Sequence, residues 1–229
     1  MSMSVHAPAW TSPRTWERPA VLERDGRATA PYYEAVKRLI DLVVCLAVLP
    51  FLLPVLALCV AAIKIESPGA AFFTQQRTGR FGRRFPMLKL RTMVPNADEL
   101  KAQLMHLNEH RYPDFKITND PRVTRCGKIL RKTSLDELPQ IFNVLRGDMT
   151  LVGPRPTSFG AETYRLWHTA RLEVKPGLTG LWQVSGRADL EFDDRLRLDI
   201  FYIRNRSLAL DLRILLRTFT AVLSGRGAN

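Results

Sequence analysis

Cysteine is scarce in this chain of 229 residues: Cys45, Cys59 and Cys126 are the only three, and no Cys-x-x-Cys pair occurs. That excludes a disulfide scaffold and a cysteine-built zinc site, and predicts reduced, structural thiols. No secretory signature stands before residue 35, so the globular part is expected to face the cytoplasm. Acidic residues are also few, 22 Asp and Glu against 34 Lys and Arg, a net charge of +12. Such a balance suits an anionic partner, whether nucleic acid, a phosphorylated ligand or an acidic lipid surface. No recognisable nucleic-acid module is present, which argues against the first.

Periodicity is missing from residues 1–34, which are rich in Pro, Arg, Ser and Ala and are expected to form a mobile arm. Trp10 and Trp16 in that arm suit a membrane interface, although a solvated tail is the plainer reading. Polar residues then vanish. From Leu39 to Ile63 the one charged residue is Asp41, a run long enough to cross a hydrocarbon core about 30 Å thick.

Two features speak against a plain crossing. Pro50 and Pro54 sit near the middle, where each removes a backbone donor and predicts a break or kink. Basic residues flank both ends, Lys37 and Arg38 before and Lys64 after, and cytoplasmic flanks are the ones enriched in Lys and Arg. Residues 35–66 are therefore expected to enter and leave by one face as a re-entrant helical hairpin, with Asp41 pairing with Arg38 at the boundary.

Residues 67–229 make one cytosolic domain in this reading, mainly α with minor β. Residues 70–93 read as short strands with turns at Thr78-Gly79 and Phe81-Gly82. They hold Arg77, Arg80, Arg83, Arg84, Lys89 and Arg91 and no acid, a patch suited to lipid head groups or to phosphate. A helix is expected over 96–110, capped by Asn96, and helices on either side of a break at Thr133-Ser134. Amphipathic stretches at 160–174 and 207–223 suit core packing or an interfacial position on the membrane.

Candidate chemistry gathers around Asp136 and Glu137. Ser134 with Glu137 fits a capping box, which would make both acids ordinary first-turn residues. Against that, Arg131 and Lys132 precede them, and Gly153-Pro154-Arg155-Pro156 follows as a rigid turn presenting one guanidinium. Arginine's planar fork matches phosphate oxygens, so a carboxylate among Arg131, Arg155, Lys89 and Arg91 could meet a polyphosphate as nucleophile or as ligand of a divalent ion. His106 to His110 fits the HxxEH pattern of some zinc peptidases, but no third ligand suggests itself and a solvated helix is the simpler explanation.

The run from Lys128 through Thr133-Ser134-Leu135-Asp136-Glu137-Leu138-Pro139 to Val152-Gly153-Pro154-Arg155-Pro156 resembles the signature of the bacterial sugar transferases that are monotopic polyprenyl-phosphate phosphoglycosyl transferases. Similar to it too are Lys37-Arg38 with Asp41, Phe73-Thr74-Gln75-Gln76-Arg77, Lys89-Leu90-Arg91-Thr92-Met93, and Lys175 to Arg187 with its Gly180-Leu181-Trp182-Gln183. The resemblance covers about residues 35–226.

It implies transfer of a sugar 1-phosphate from a UDP-sugar to undecaprenyl phosphate with release of UMP, at the cytoplasmic face of a bacterial inner membrane, for exopolysaccharide or O-antigen synthesis. Glucose or galactose is the sugar it favours. By the same resemblance Asp136 is the nucleophile of a covalent intermediate and Glu137 assists. Mg²⁺ is the cofactor, held by Asp136 and Glu137, and Arg131, Arg155, Lys89 and Arg91 bind phosphate. Asp211 matches a further family acid whose role stays open. Where many members have Ser-Pro at the membrane break this chain has Leu53-Pro54 with an additional Pro50, and with only a short arm ahead it looks like the small form of the family. The readings that compete are a membrane-tethered basic adaptor without catalysis, in which Asp136 is dispensable, and the zinc peptidase.

Overall fold

The computed structural model describes residues 31–109, 117–160, 166–185 and 192–223. Trp10, Trp16 and nearly all of the expected arm lie outside them. The described part is mostly helical with two small sheets, as the composition of the motifs suggested.

Helix α1 spans Pro31–Glu66, starting four residues earlier than expected, with proline at its first position and Glu34 in its first turn. Its most apolar stretch of 18 residues has a mean hydropathy of 2.9, and only 22% of that stretch is buried. A helix of the protein core would be buried all round, so this one is apolar for another reason. The backbone stays helical through Pro50 and Pro54, and no second helix forms after the prolines. Each proline forfeits one intrahelical bond, and the turns on either side hold the helix together.

One stripe of α1 is buried along its whole length: Tyr33, Lys37, Asp41 and Cys45, then Leu52, Leu56, Cys59 and Ile63. The spacing of three, four and seven residues keeps them on one face. Both ends are tied to the same globular body. At the start, Arg38 donates to the carbonyls of Val144 and Leu145, the latter at 2.7 Å, and Lys37 Nζ meets Asp211 at 2.7 Å. At the finish, the Glu66 carboxylate accepts from the amides of Arg125 and Cys126 at 2.8 and 2.9 Å, capping the next long-range partner helix.

Strands β1 (Phe72–Thr78) and β2 (Arg84–Leu90) pair antiparallel, with Phe72 opposite Leu90 and Thr78 opposite Arg84. The connecting loop holds Phe81 and Gly82 at positive φ. A short helix α2 (Ala97–Gln103) follows, shorter than expected and without a side-chain bond from Asn96. Helix α3 (Arg125–Lys132) is capped by Thr124, whose hydroxyl accepts from Gly127. Helix α4 covers Gln140–Arg146, and strands β3 (Thr150–Val152) and β4 (Gly177–Thr179) pair in parallel. A 3-10 segment at Leu166–Glu173 takes up part of the amphipathic stretch at 160–174. Helices α5 (Phe192–Arg204) and α6 (Leu208–Leu223) close the described chain.

The main core joins Cys45 and Leu52 of α1 to Phe85, Met87, Val144, Met149, Val152, Leu198, Tyr202 and Ile214. A smaller cluster joins Leu56, Cys59 and Ile63 to Ala71, Leu90 and Leu130. Leu208, Leu212, Leu216 and Phe219 form an exposed apolar stripe on α6.

Candidate active site

Between α3 and α4 the chain makes one tight reversal. Ser134 takes the left-handed conformation at φ 58°, and Leu135–Glu137 form a single 3-10 turn. No hydrogen bond from the Ser134 side chain caps that turn, so the expected capping box is absent. Its carboxylate was drawn elsewhere: Arg155 donates to Glu137 through Nη1 at 3.1 Å and also through Nη2, and Lys89 Nζ donates at 2.9 Å. A bidentate guanidinium and an ammonium outbid one backbone amide.

Asp136 is buried, with 8% of its surface exposed, and its nearest partner is Lys89 Nζ at 3.8 Å. Burial raises the Asp136 carboxyl above its ordinary value, Lys89 opposing and Glu137 adding to the shift. Burial pushes Glu137 up as well, but Arg155 and Lys89 outweigh it and hold that carboxyl well below the usual carboxylate range. Arg155 is raised by Glu137. Two adjacent acids are thus split, one paired and firmly ionised, the other desolvated and available.

Arg131, from the last turn of α3, donates through Nε to Thr92 Oγ1 at 3.0 Å, and burial lowers its pKa while Asp136 and Asp120 pull it back. Among the described residues its other guanidinium nitrogens make no hydrogen bond. The fold therefore brings together Lys89 from β2, Arg131 from α3, Asp136 and Glu137 from the turn, and Arg155 after β3.

Arg91 does not join them. Its guanidinium is spent on the turn after α1, donating to Pro68 O at 2.6 Å, Ser67 O at 2.8 Å and Ser67 Oγ at 2.9 Å. Two other members of the basic patch are engaged with backbone carbonyls, several of them on the segment after β3: Arg77 reaches Pro156 O, and Arg84 reaches Gln76 O, Ser158 O and Phe159 O. Asp211 sits in a buried hub, accepting from Tyr33 at 2.9 Å, Lys37 at 2.7 Å and Tyr202 at 2.6 Å, so its place is to lock α1 onto α5 and α6. Asp41 binds Thr150 Oγ1 at 2.6 Å and the Leu151 amide at 3.1 Å, not Arg38, because the start of β3 offers it two neutral donors.

Among the described residues no group of three or more His, Cys, Asp or Glu is placed to hold an ion. Mg²⁺ usually takes one or two carboxylates, waters and substrate phosphates. Asp136 fits that sparse role, as a ligand completed by a diphosphate, whereas both Glu137 oxygens are already taken by Arg155 and Lys89, so the two acids do not make a resident site. Of the zinc pattern, His110 lies outside the described residues, and Glu109 is held by Thr118, whose amide and hydroxyl each donate at 2.7 Å.

What the fold and these residues define is a carboxylate site dressed with basic groups, mounted beside a helix apolar enough to cross a membrane. The chain belongs to the bacterial sugar transferase family, which it matches over residues 32–225. It is 43% identical over 198 residues to the UDP-galactose-lipid carrier transferase of Erwinia amylovora, covering 84% of this chain and 41% of that protein. It is 38% identical over 220 residues to the exopolysaccharide production protein ExoY of Rhizobium meliloti, covering 94% of this chain and 97% of that one. With the UDP-glucose:undecaprenyl-phosphate glucose-1-phosphate transferase of Caulobacter vibrioides it shares 44% identity over 199 residues, 82% of this chain and 70% of that protein. The chain thus spans about two fifths of some curated relatives and nearly the whole of another.

Sequence reasoning missed Arg171 and Asp199. Both are buried, 2.7 Å apart, and Arg171 touches the backbone of Arg155. A pair separated by 28 positions leaves no local signal.

Proposed function

We propose that this chain transfers a sugar 1-phosphate from a UDP-sugar, UDP-glucose or UDP-galactose, to undecaprenyl phosphate, releasing UMP at the cytoplasmic face of a bacterial inner membrane. The observation that carries the reading is the split between Asp136, desolvated and without a hydrogen bond among the described residues, and Glu137, clamped by Arg155 and Lys89. A raised carboxylate beside paired cations is what attack on a diphosphate requires. The relatives' names supply the donor and acceptor.

In the first step an Asp136 oxygen bonds to the sugar-bearing phosphorus, and the bond from that phosphorus to the bridging oxygen breaks, so that UMP leaves with the electron pair. Arg131, Arg155 and Lys89 offset the negative charge that builds on the phosphoryl oxygens. In the second step an oxygen of undecaprenyl phosphate attacks the same phosphorus and Asp136 departs as carboxylate. Glu137 sets the positions of Arg155 and Lys89 throughout. Mg²⁺, when bound with the donor, supplies further neutralisation at the diphosphate.

Two observations support a one-sided membrane attachment. Helix α1 has 36 residues, about 54 Å if straight, against a hydrocarbon core of about 30 Å. Both of its ends are bonded to one globular body, through Lys37 and Arg38 at the start and Glu66 at the finish. A helix so held enters and leaves by the same face, and the exposed apolar stripe of α6 suits the head-group level beside it. Polysaccharide initiation, exopolysaccharide or O-antigen, is the pathway that fits.

The test is nucleoside monophosphate release from a panel of UDP-sugars by the purified protein with Mg²⁺ and undecaprenyl phosphate. Lipid-dependent UMP release with one sugar, lost in Asp136→Asn, supports the reading. Release that survives the substitution removes Asp136 as nucleophile. No release from folded protein over a broad panel of nucleotide sugars sinks the reaction class in favour of a basic adaptor.

A further inference from the structure

The segment after β3 is held by its carbonyls. Pro154 and Pro156 have no amide hydrogen to offer, so the turn cannot be tied down through those positions. Instead each carbonyl finds a donor. Pro154 O accepts from the Gly177 amide at 2.9 Å, Arg155 O from Arg171 Nη2 at 2.6 Å, Pro156 O from Arg77 Nη1 at 3.3 Å, and Thr157 O from the Thr78 amide at 3.0 Å. Arg84 continues the series at Ser158 O and Phe159 O.

Of these donors Arg171 is the one aimed at the residue that grips Glu137. It is 6% exposed, and Asp199, 1% exposed, lies 2.7 Å from its Nη2. Arg195 is the other cation acting on Asp199, and burial pushes that carboxyl up to about 7 against both. An ion pair this deeply buried is costly, and hydrophobic residues of similar volume would serve stability as well or better. Among the described residues the Asp199 oxygens take no hydrogen bond, so the carboxylate of α5 holds Arg171 by charge at 2.7 Å, while the directed bond of that guanidinium goes to one carbonyl of the active-site turn.

We propose that Arg171, oriented by Asp199, is a positioning residue for the donor-phosphate seat, acting through the Arg155 backbone and touching no substrate itself. The proposal rests on the transferase reading, since Arg155 is taken as a phosphate-binding group there. With the carbonyl fixed, the Arg155 side chain has one place to stand, between Glu137 and the incoming diphosphate. With it released, the guanidinium loses its aim while the chemistry at Asp136 stays intact.

The experiment uses the full chain in detergent or nanodiscs and two readouts. One is steady-state UMP release, with KM for the UDP-sugar and kcat separated. The other is the uridine diphosphate concentration that half-saturates thermal stabilisation, which needs no turnover. Arg171→Gln combined with Asp199→Asn removes both buried charges together, so that neither is left unpaired, and Arg171→Lys serves as the conservative variant.

The double variant should raise KM and the uridine diphosphate midpoint about tenfold or more, with kcat falling by a smaller factor. Arg171→Lys should recover part of the loss, and in an Arg155→Ala background the double variant should add nothing further. A folded double variant with KM and midpoint within about twofold of wild type overturns the proposal, as do effects that multiply in the Arg155→Ala background. Should wild type release no UMP yet be stabilised by uridine diphosphate, the transferase reading fails and the midpoint alone decides the positioning role. A wild type stabilised by neither uridine diphosphate nor pyrophosphate overturns both.

Discussion

Arg155 clasps Glu137 with both Nη atoms, while among the described residues no hydrogen bond reaches the Asp136 carboxylate one position earlier. The 3-10 turn is what separates them. Successive side chains of a 3-10 helix stand about 120° apart, so the two consecutive acids leave the backbone in different directions and meet different surroundings. Desolvation raises one carboxyl and paired cations lower the other, the arrangement by which two like groups take on two roles.

Substitution should separate those roles. Asp136→Asn should abolish UMP release, a loss of about a thousandfold or more, with a melting temperature near wild type because among the described residues no hydrogen bond is broken. Glu137→Gln should instead cost about 2 kcal/mol of stability or more, since it leaves the Arg155 and Lys89 charges without their counter-ion in a largely buried site. Melting curves beside initial rates check both. Equal stability losses in the two variants would contradict the assignment.

The pH profile follows from the Asp136 environment. The reactive form is the carboxylate, so activity falls as pH drops through its raised pKa. Lys89 is the largest of the groups pulling that pKa down. Lys89→Met removes the pull, so the acid limb of kcat/KM should move to higher pH as well as lower in height. A limb that stays in place would mean that a group other than Asp136 governs it.

Several of these relations were legible in the amino-acid order and others were not. Lys89, Arg131, Asp136, Glu137 and Arg155 were expected at one site and the fold brings them there, because each sits in a long motif whose chemistry constrains the spacing. Arg91, two positions from Lys89, was assigned with it and serves the Ser67-Pro68 turn instead. Strand alternation puts neighbours two apart on the same face, yet a long side chain at the strand's end can reach back to the preceding loop. The Ser134–Glu137 box and the Arg38–Asp41 pair failed for a common reason. A local partner predicted from spacing lost to a tertiary partner with more donors, Arg155 and Lys89 in the first case and the start of β3 in the second. The span of α1 was readable from hydropathy, but its attachment at both ends was not, since Val144, Leu145 and Arg125 lie far away in sequence.

Gly127 shows how closely the site-bearing helix is seated. A Cβ there would lie 2.1 Å from Thr92 O, a backbone atom that cannot yield without moving the segment after β2. Gly127→Ala should therefore cost about 2–4 kcal/mol and push α3 away from Thr92. Arg131 hydrogen-bonds Thr92 Oγ1, so the donor KM should rise along with the loss of stability. A variant that is destabilised but keeps its KM would separate the seating of α3 from the placing of Arg131.

The attachment of α1 makes a topological prediction that does not depend on turnover. Ala35 and Ala70 are exposed and lie close to the two ends of the helix. In a background where Cys45, Cys59 and Cys126 are replaced by Ala or Ser, a single cysteine at position 35 and a single cysteine at position 70 can each be challenged with a membrane-impermeant maleimide. Re-entry predicts that both react in inverted inner-membrane vesicles and that neither reacts in intact spheroplasts. Opposite labelling of the two positions would require the Lys37–Asp211 and Glu66–Arg125 contacts to part across the bilayer, and would exclude the one-sided attachment. Replacing Pro50 and Pro54 together by Leu sharpens the test. It restores two intrahelical bonds and removes the points where a helix of about 54 Å can bend within a core of about 30 Å, so the cysteine at position 70 should lose protection from the outside reagent while that at position 35 keeps it.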